Sequence, residues 1–205
     1  PDVIYMHSSK AGALGRLADI GFKNIVLYNP HGWAFNMNNI SVIKKKVYAL
    51  IEKVLAYKTN MIIAISAWEK ESAIKYKICC SDKIHIIPSG VDVCLYDEER
   101  GRYDLNRSKL KIPLNAYIIG MVGRISYGKG PDLFIKAAAL IKEKIPNAFF
   151  VIVGDGEERA SVENLLSEMR LKDDFLITGW VSNPIEYIQL FDQAMLLTRW
   201  EGFGL

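Results

Sequence analysis

The chain has 205 residues, 50% of them hydrophobic and 24% charged, the balance of a globular protein of one or two domains that can bury a real core. Its 26 basic and 23 acidic residues leave a formal charge of +3, too small to argue for nucleic acid as a partner. Cys79, Cys80 and Cys94 lack C-x-x-C spacing, no run reaches the roughly 18 to 20 apolar residues needed to cross a bilayer, and no signal-peptide pattern opens the chain. The protein therefore reads as cytoplasmic, with structural cysteines and at most a peripheral contact with the inner membrane face.

In chain order, short runs rich in Ile and Val predict strands at residues 3–6, 24–28, 61–65, 83–87, 117–122, 148–153, 174–177 and 194–197. They are mostly apolar throughout rather than alternating, which suits parallel strands covered on both faces. Helical patterns lie between them at residues 9–20, 40–58, 67–77, 131–144, 157–170 and 184–191. This alternation predicts an α/β protein. In the longest helix Ile43, Val47, Leu50, Ile51, Val54 and Leu55 recur at three- and four-residue steps as one apolar stripe, and Lys44, Lys45, Lys46 and Lys53 are expected on the opposite side. Those lysines fit either a solvated face or attraction to an anionic membrane surface.

The polar stretch 91–113 breaks the pattern and predicts a domain boundary near Asn106. Strand-helix units on both sides imply two Rossmann-like halves, residues 1–105 and 106–205, with ligands at the carboxyl ends of their strands. A start at Pro1 in the run-up to a strand, and a stop at Leu205 after a Gly-rich turn, predict a fragment in which both halves are incomplete.

The strongest local feature runs from Gly120 to Asp132, where a strand enters a glycine-spaced turn and a helix opens at Pro131. Gly123 and Gly130 allow backbone amides close to an anion, the helix end adds favourable partial charge, and Arg124 and Lys129 supply counter-charge. This predicts a phosphate site. Residues 123–129 also spell G-x-x-x-x-G-K, yet Gly130 and Pro131 stand where a P-loop needs Ser or Thr to hold magnesium. A second turn, Gly154-Asp155-Gly156, precedes a helix with Asp155 as its expected cap and Glu157 and Glu158 at its positive end. It fits a plain strand-to-helix turn or a direct ligand contact. A third turn holds Glu201, Gly202, Phe203 and Gly204, offering amides to an anion and a carboxylate to sugar hydroxyls. Three turns at strand ends in one half point to a single cleft.

Together, Gly-Arg-(x4)-Lys-Gly at 123–130, Val-Gly-Asp-Gly at 153–156, Thr-Gly-Trp-Val at 178–181 and Glu-Gly-Phe-Gly-Leu at 201–205 resemble the C-terminal lobe of the retaining GT-B glycosyltransferases of family 4, the group 1 transferases. The segments at 7–18, 29–33 and 87–92 resemble members that build capsular, exopolysaccharide or lipopolysaccharide sugars.

The resemblance implies a nucleotide-diphosphate sugar donor, of UDP or GDP type, and a saccharide or lipid-linked saccharide acceptor. It implies that Arg124 and Lys129 bind the diphosphate with Gly123, Gly154 and Gly156 near them, and that Thr178 to Val181 border the base. Glu201 would contact the donor sugar as the first acid of a Glu-(x7)-Glu motif, and Gly202, Phe203 and Gly204 would line sugar and phosphates. His31 would approach the transferred sugar from a His-Gly turn; its alternative is a histidine satisfying local backbone groups. His7, Ser8, Ser9 and Lys10 fit either a helix N-cap or part of an acceptor pocket, and His85 reads as structural. No Asp-x-Asp pair occurs, so the cationic side chains are expected to replace a metal, with no metal or other cofactor. A non-catalytic nucleotide-sugar-binding module is the alternative from another class.

Overall fold

The computed structural model describes residues 1–91, Cys94 and 106–201. The chain divides into two compact units, Pro1–Val91 together with Trp200 and Glu201, and a second ending at Arg199.

In the first unit, β1 (Val3–His7), α1 (Ser9–Ala18), β2 (Ile25–Asn29), α2 (Val42–Leu55), β3 (Met61–Ala64), α3 (Ala67–Lys75) and β4 (Ile84–Ile86) follow one another. The sheet order is β1-β2-β3-β4 with every pair parallel. Parallel neighbours need a crossover, which the helices supply. Ser41 caps α2 by accepting the Lys44 N–H (3.3 Å), and Ser66 caps α3 by accepting that of Glu69 (3.2 Å). Val26, Tyr28, Ile62 and Ala64 from the strands meet Trp33 and Phe35 in the core.

The second unit contains β5 (Tyr117–Val122), α4 (Pro131–Lys144), β6 (Ala148–Val153), α5 (Arg159–Glu168), β7 (Phe175–Ile177), α6 (Ile185–Ile188) and β8 (Gln193–Ala194). Ile119, Met121, Phe150 and Ile152 pack with Phe134 and Ile135 of α4 on one face of the sheet. Ile118, Val151 and Val153 pack with Tyr187, Leu190 and Phe191 on the other. That two-sided cover explains why β6 is apolar at every position. Gly120 gives Phe191 room against β5, since a Cβ there would overlap the ring.

The strand order here is β7-β6-β5-β8, all parallel. The chain winds outward from β5 through β6 to β7, then returns to the other side of β5. This reversal places a topological switch point between the carboxyl ends of β5 and β8, where open α/β sheets bind ligands.

Several elements are shorter than the periodicity predicts, and two near the end of the second unit show where the chain goes instead. The helix expected over 184–191 is helical only over Ile185–Ile188, because the chain turns so that the Asp192 carboxylate can accept the Ile118 N–H (2.7 Å). The strand expected over 194–197 pairs only at Gln193–Ala194. Beyond it the chain leaves the sheet, and Arg199 donates its backbone N–H to the Gly128 carbonyl (2.8 Å).

Helix α2 reverses a sequence expectation. Its inner face is Ala49, Glu52 and Leu55, whereas Ile43 is 75% exposed, Leu50 60% and Val54 56%. The reason is a buried charge pair. The Arg16 Nη2 donates to Glu52 Oε2 (2.7 Å), the Tyr28 hydroxyl donates to Glu52 Oε1 (2.8 Å), and the Arg16 guanidinium lies 3.8 Å from the Tyr28 ring centroid. Burial, then the Glu52 carboxylate, raises the Tyr28 pKa, so the phenol stays a donor. Only Leu55 of the predicted stripe is buried, and Lys44, Lys46 and Lys53 flank that stripe rather than oppose it.

Glu52→Ala would leave the Arg16 charge buried without its partner and should cost about 3–5 kcal/mol in urea denaturation. Leu50→Ser should shift stability by no more than about 0.5 kcal/mol. A loss of about 2 kcal/mol or more from Leu50→Ser would contradict the outward orientation of the stripe.

Candidate active site

At the switch point of the second unit, β5 ends at Val122 and the chain turns at Gly123. The turn is fastened to the neighbouring strand end by main-chain bonds: Gly123 N–H to Val153 O (3.0 Å), Ile125 N–H to Asp155 O (2.9 Å) and Glu158 N–H to Ile125 O (3.1 Å). Gly154, at φ 142°, sits where a Cβ would collide with the Gly123 carbonyl, and a Cβ on Gly156 would meet that of Ile125. Gly154 also forms an antiparallel bridge with Gly179, and Thr178 donates its N–H to Ile152 O (3.0 Å). The turns at 123–130, 154–156 and 178–179 are thus brought together.

The side chains divide less evenly. Arg124 is exposed and donates its Nε to Glu157 (2.9 Å), which leaves the Nη edge as the one an anion would take. Lys129 closes the 3₁₀ turn Tyr127–Lys129, and its stem passes over Gly123. Both cations therefore belong to one turn. The Val181 side chain packs toward the core, which leaves its backbone as the part that could border a base.

Asp155 is not the helix cap expected from its position. Its carboxylate accepts the Gly156 N–H (2.8 Å) and the Arg159 Nη1 (3.0 Å), while Glu158 occupies the cap position without a side-chain bond. The positive end of α4 is likewise committed. Pro131 has no N–H, the Leu133 and Phe134 amides return to Gly130 O (3.0 and 3.1 Å), and Asp132 fills the first turn. This turn lacks the run of open amides on which a P-loop depends, and Arg124 and Lys129 are the cationic side chains it carries.

Asp132 forms a contact that the sequence does not announce. Arg199 grips it with both terminal nitrogens (2.8 and 2.7 Å), donates to Tyr127 O (2.8 Å) and lies 4.1 Å from the Tyr127 ring centroid. Hydrogen bonding to Arg199 holds the Asp132 pKa below its ordinary value. Gly130, at φ 67°, lets the Leu197 carbonyl approach where a Cβ would clash. The segment leading to Glu201 is in this way locked to the cationic turn. Glu201 is half-buried; Gly202, Phe203 and Gly204 lie outside the described residues.

In the first unit a second constellation forms at the carboxyl ends of β1 and β2. His7 and Asn29 are register partners. His31 follows with φ 50°, uncommon for a non-glycine residue, and Gly32 with φ 101°. Asn29 Oδ1 accepts the His31 N–H (3.1 Å), and the imidazoles stack with His7 Nδ1 and His31 Nε2 2.7 Å apart. Partial desolvation, then His7, holds the His31 pKa below the usual histidine value, so its ring stays neutral further into acid.

The residue that shapes this loop is Glu69, which sequence reasoning missed. Fully buried, its carboxylate accepts the Gly32 N–H (2.5 Å) and the Ile65 N–H (2.7 Å), while its carbonyl accepts the Trp33 indole (2.9 Å). Burial raises its pKa against the pull of those two N–H donors. Ser66-x-x-Glu69 carries the sequence signal of a capping box, and here the carboxylate reaches across to Gly32. Ser8 takes the N-cap position of α1 without a side-chain bond, Ser9 is half-buried, and Lys10 is exposed. His85 is exposed on β4. Among the described residues no group of three or more His, Cys, Asp and Glu is placed to hold a metal, and no helix is long and apolar enough to cross a membrane.

The family model described as Glycosyl transferases group 1 matches residues 103–205, and that described as Glycosyltransferase Family 4 matches residues 1–94. The chain belongs to this glycosyltransferase family. It is 34% identical, over its whole length and 54% of the relative, to the Escherichia coli UDP-Gal:alpha-D-GlcNAc-diphosphoundecaprenol alpha-1,3-galactosyltransferase. It is 26% identical, again over its whole length and 54% of the relative, to the capsular polysaccharide biosynthesis glycosyltransferase CapM of Staphylococcus aureus. The chain thus spans about half the length of these curated relatives. The Anabaena HepE structure in complex with UDP-glucose matches 99% of this chain and 55% of its own, with a TM-score of 0.84 and 21% identity. The fold is of the GT-B type.

Glu69→Ala removes the acceptor for two backbone donors and should destabilise the first unit by about 2–4 kcal/mol. Amide exchange should quicken most at Gly32 and Ile65. Unchanged exchange at Gly32 would contradict the role assigned to Glu69 in holding the His31 loop.

Proposed function

We propose that the protein moves a hexosyl-type group from a nucleotide-diphosphate sugar, of UDP or GDP type, to a saccharide or lipid-linked saccharide acceptor, with retention, in cell-surface polysaccharide synthesis. The observation that carries this reading is the turn 123–130 at the switch point, with Arg124 and Lys129 on a backbone that three close main-chain approaches hold fixed. The S. aureus relative supports the polysaccharide setting by name, the E. coli relative's name supports a lipid-linked saccharide acceptor, and the HepE complex supports a UDP-sugar donor. In this reading residues 106–205 form the donor lobe and residues 1–105 belong to the acceptor lobe.

Chemically, the donor C–O bond to the diphosphate breaks while the acceptor hydroxyl oxygen bonds to the anomeric carbon on the leaving-group face and passes its proton to the departing diphosphate oxygen, which preserves the configuration. Negative charge grows on the departing diphosphate, where the Arg124 Nη edge and Lys129 counter it in place of a metal. Arg124 is pre-oriented by Glu157 rather than neutralised, because one carboxylate bond to Nε leaves the forked edge available. Glu201 contacts the donor sugar, Thr178 to Val181 border the base, and the glycine-rich segment after Glu201 lines sugar and phosphates. His31, kept neutral, approaches the sugar as a polar group that adds no net charge, beside an acceptor region formed by residues 7–10. Most of the acceleration comes from positioning and electrostatics.

Calorimetric titration with UDP, GDP and ADP tests the donor site. Arg124→Ala and Lys129→Ala should each weaken uridine or guanosine diphosphate binding at least about tenfold, the loss of a charge-assisted bond. Binding unchanged in both variants would sink the donor site. With full-length protein, His31→Ala and Glu201→Ala should abolish transfer while diphosphate binding persists, and chelator should leave transfer intact. Diphosphate binding by wild-type full-length protein without any transfer would instead favour a non-catalytic binding module.

A further inference from the structure

Helix α2 wears its amphipathicity inside out. Its one acid, Glu52, faces the core, satisfied by Arg16 and Tyr28, and its large apolar side chains other than Leu55 face solvent. At about 100° per residue, Ile43, Val47, Leu50 and Val54 fall within one sector roughly 60° wide, opposite Ala49 and Glu52. Lys46 and Lys53 border that sector on one side and Lys44 on the other. Between Asn29 and Asn60 the sequence holds five lysines and one acid, and the acid is the buried Glu52.

Isolated exposed apolar residues need no explanation, but a continuous helical row of them rimmed by one sign of charge marks a contact surface. The charge decides what kind. Two copies meeting through this face would set lysines against lysines with no acid to relieve them, because a two-fold contact pairs a patch with itself. An anionic bilayer complements both features: apolar side chains enter the acyl boundary while lysine stems run along it and keep their ammonium groups among the lipid phosphates. The 14 residues of α2 make a contact line about 21 Å long.

We propose that the outer face of α2 is a membrane-docking surface for anionic lipid, with Ile43, Val47, Leu50 and Val54 inserted and Lys44, Lys46 and Lys53 at the headgroups. The surface deepens the reading above, since a transferase acting on a lipid-linked saccharide has to work at the bilayer surface. It does not depend on the donor site, so the two can fail separately.

Cosedimentation of the full chain with vesicles tests it, using phosphatidylcholine alone and phosphatidylcholine mixed with phosphatidylglycerol. The expected result is binding to the mixed vesicles that weakens as salt rises. Lys44→Gln/Lys46→Gln/Lys53→Gln should weaken it at least about tenfold, and Val47→Ser/Leu50→Ser should weaken it at all salt concentrations. Both variants should keep the wild-type circular dichroism and UDP affinity, which separates a lost surface from a lost fold. No binding to mixed vesicles at low salt, equal binding by the variants, or a concentration-dependent dimer that these substitutions dissolve would overturn the proposal. In the wild-type chain, vesicle binding absent while UDP binding is present counts against this surface alone; UDP binding absent while vesicles bind counts against the donor site alone.

Discussion

The Gly123 to Gly130 turn sits closer to its neighbours than any side chain would allow. The carbonyls of Gly123, Ile125 and Leu197 come against Gly154, Gly156 and Gly130 at positions where a Cβ would overlap them. Main-chain atoms in such contact move together, and interiors packed to this density transmit rather than absorb displacement. Arg124 and Lys129 can be long, partly exposed side chains and still present charge at a defined place, because the backbone beneath them is fixed. Arg199 extends the same lock toward Glu201 by gripping Asp132 with both terminal nitrogens.

The first unit solves a similar problem by other means. His31 and Gly32 both hold positive φ, and their loop is fastened differently. A buried carboxylate does it instead, with Glu69 from α3 taking the Gly32 amide and Asn29 taking that of His31. Burying Glu69 is costly unless its acceptors are used, so the loop and the carboxylate stabilise each other. The result sets His31 against His7 at the carboxyl edge of a parallel sheet, the edge where such sheets carry chemistry.

Much of this was legible in the sequence. The continuous apolar run at 148–153 announced a strand covered on both faces, and the strand-turn-helix order around Gly123 announced the turn at the end of β5. What escaped was of two kinds. The bond from Glu69 to Gly32 spans 37 residues, and the grip of Arg199 on Asp132 spans 67; no local pattern predicts them. The orientation of α2 escaped for a different reason. Periodicity finds a stripe but does not say which way it faces, and the usual assignment to the core failed because Arg16 and Tyr28 made a place inside for Glu52. The expected cap at Asp155 failed similarly, since Arg159 four residues on competes for the same carboxylate.

The account stands on a diphosphate resting on the backbone-locked turn, and amide hydrogen exchange with and without UDP addresses that directly. UDP should slow exchange at residues 123–130 and 154–156 together, as expected of one mechanically joined site, and leave α2 unaffected. Protection absent from both turns, or confined to another part of the chain, would contradict it.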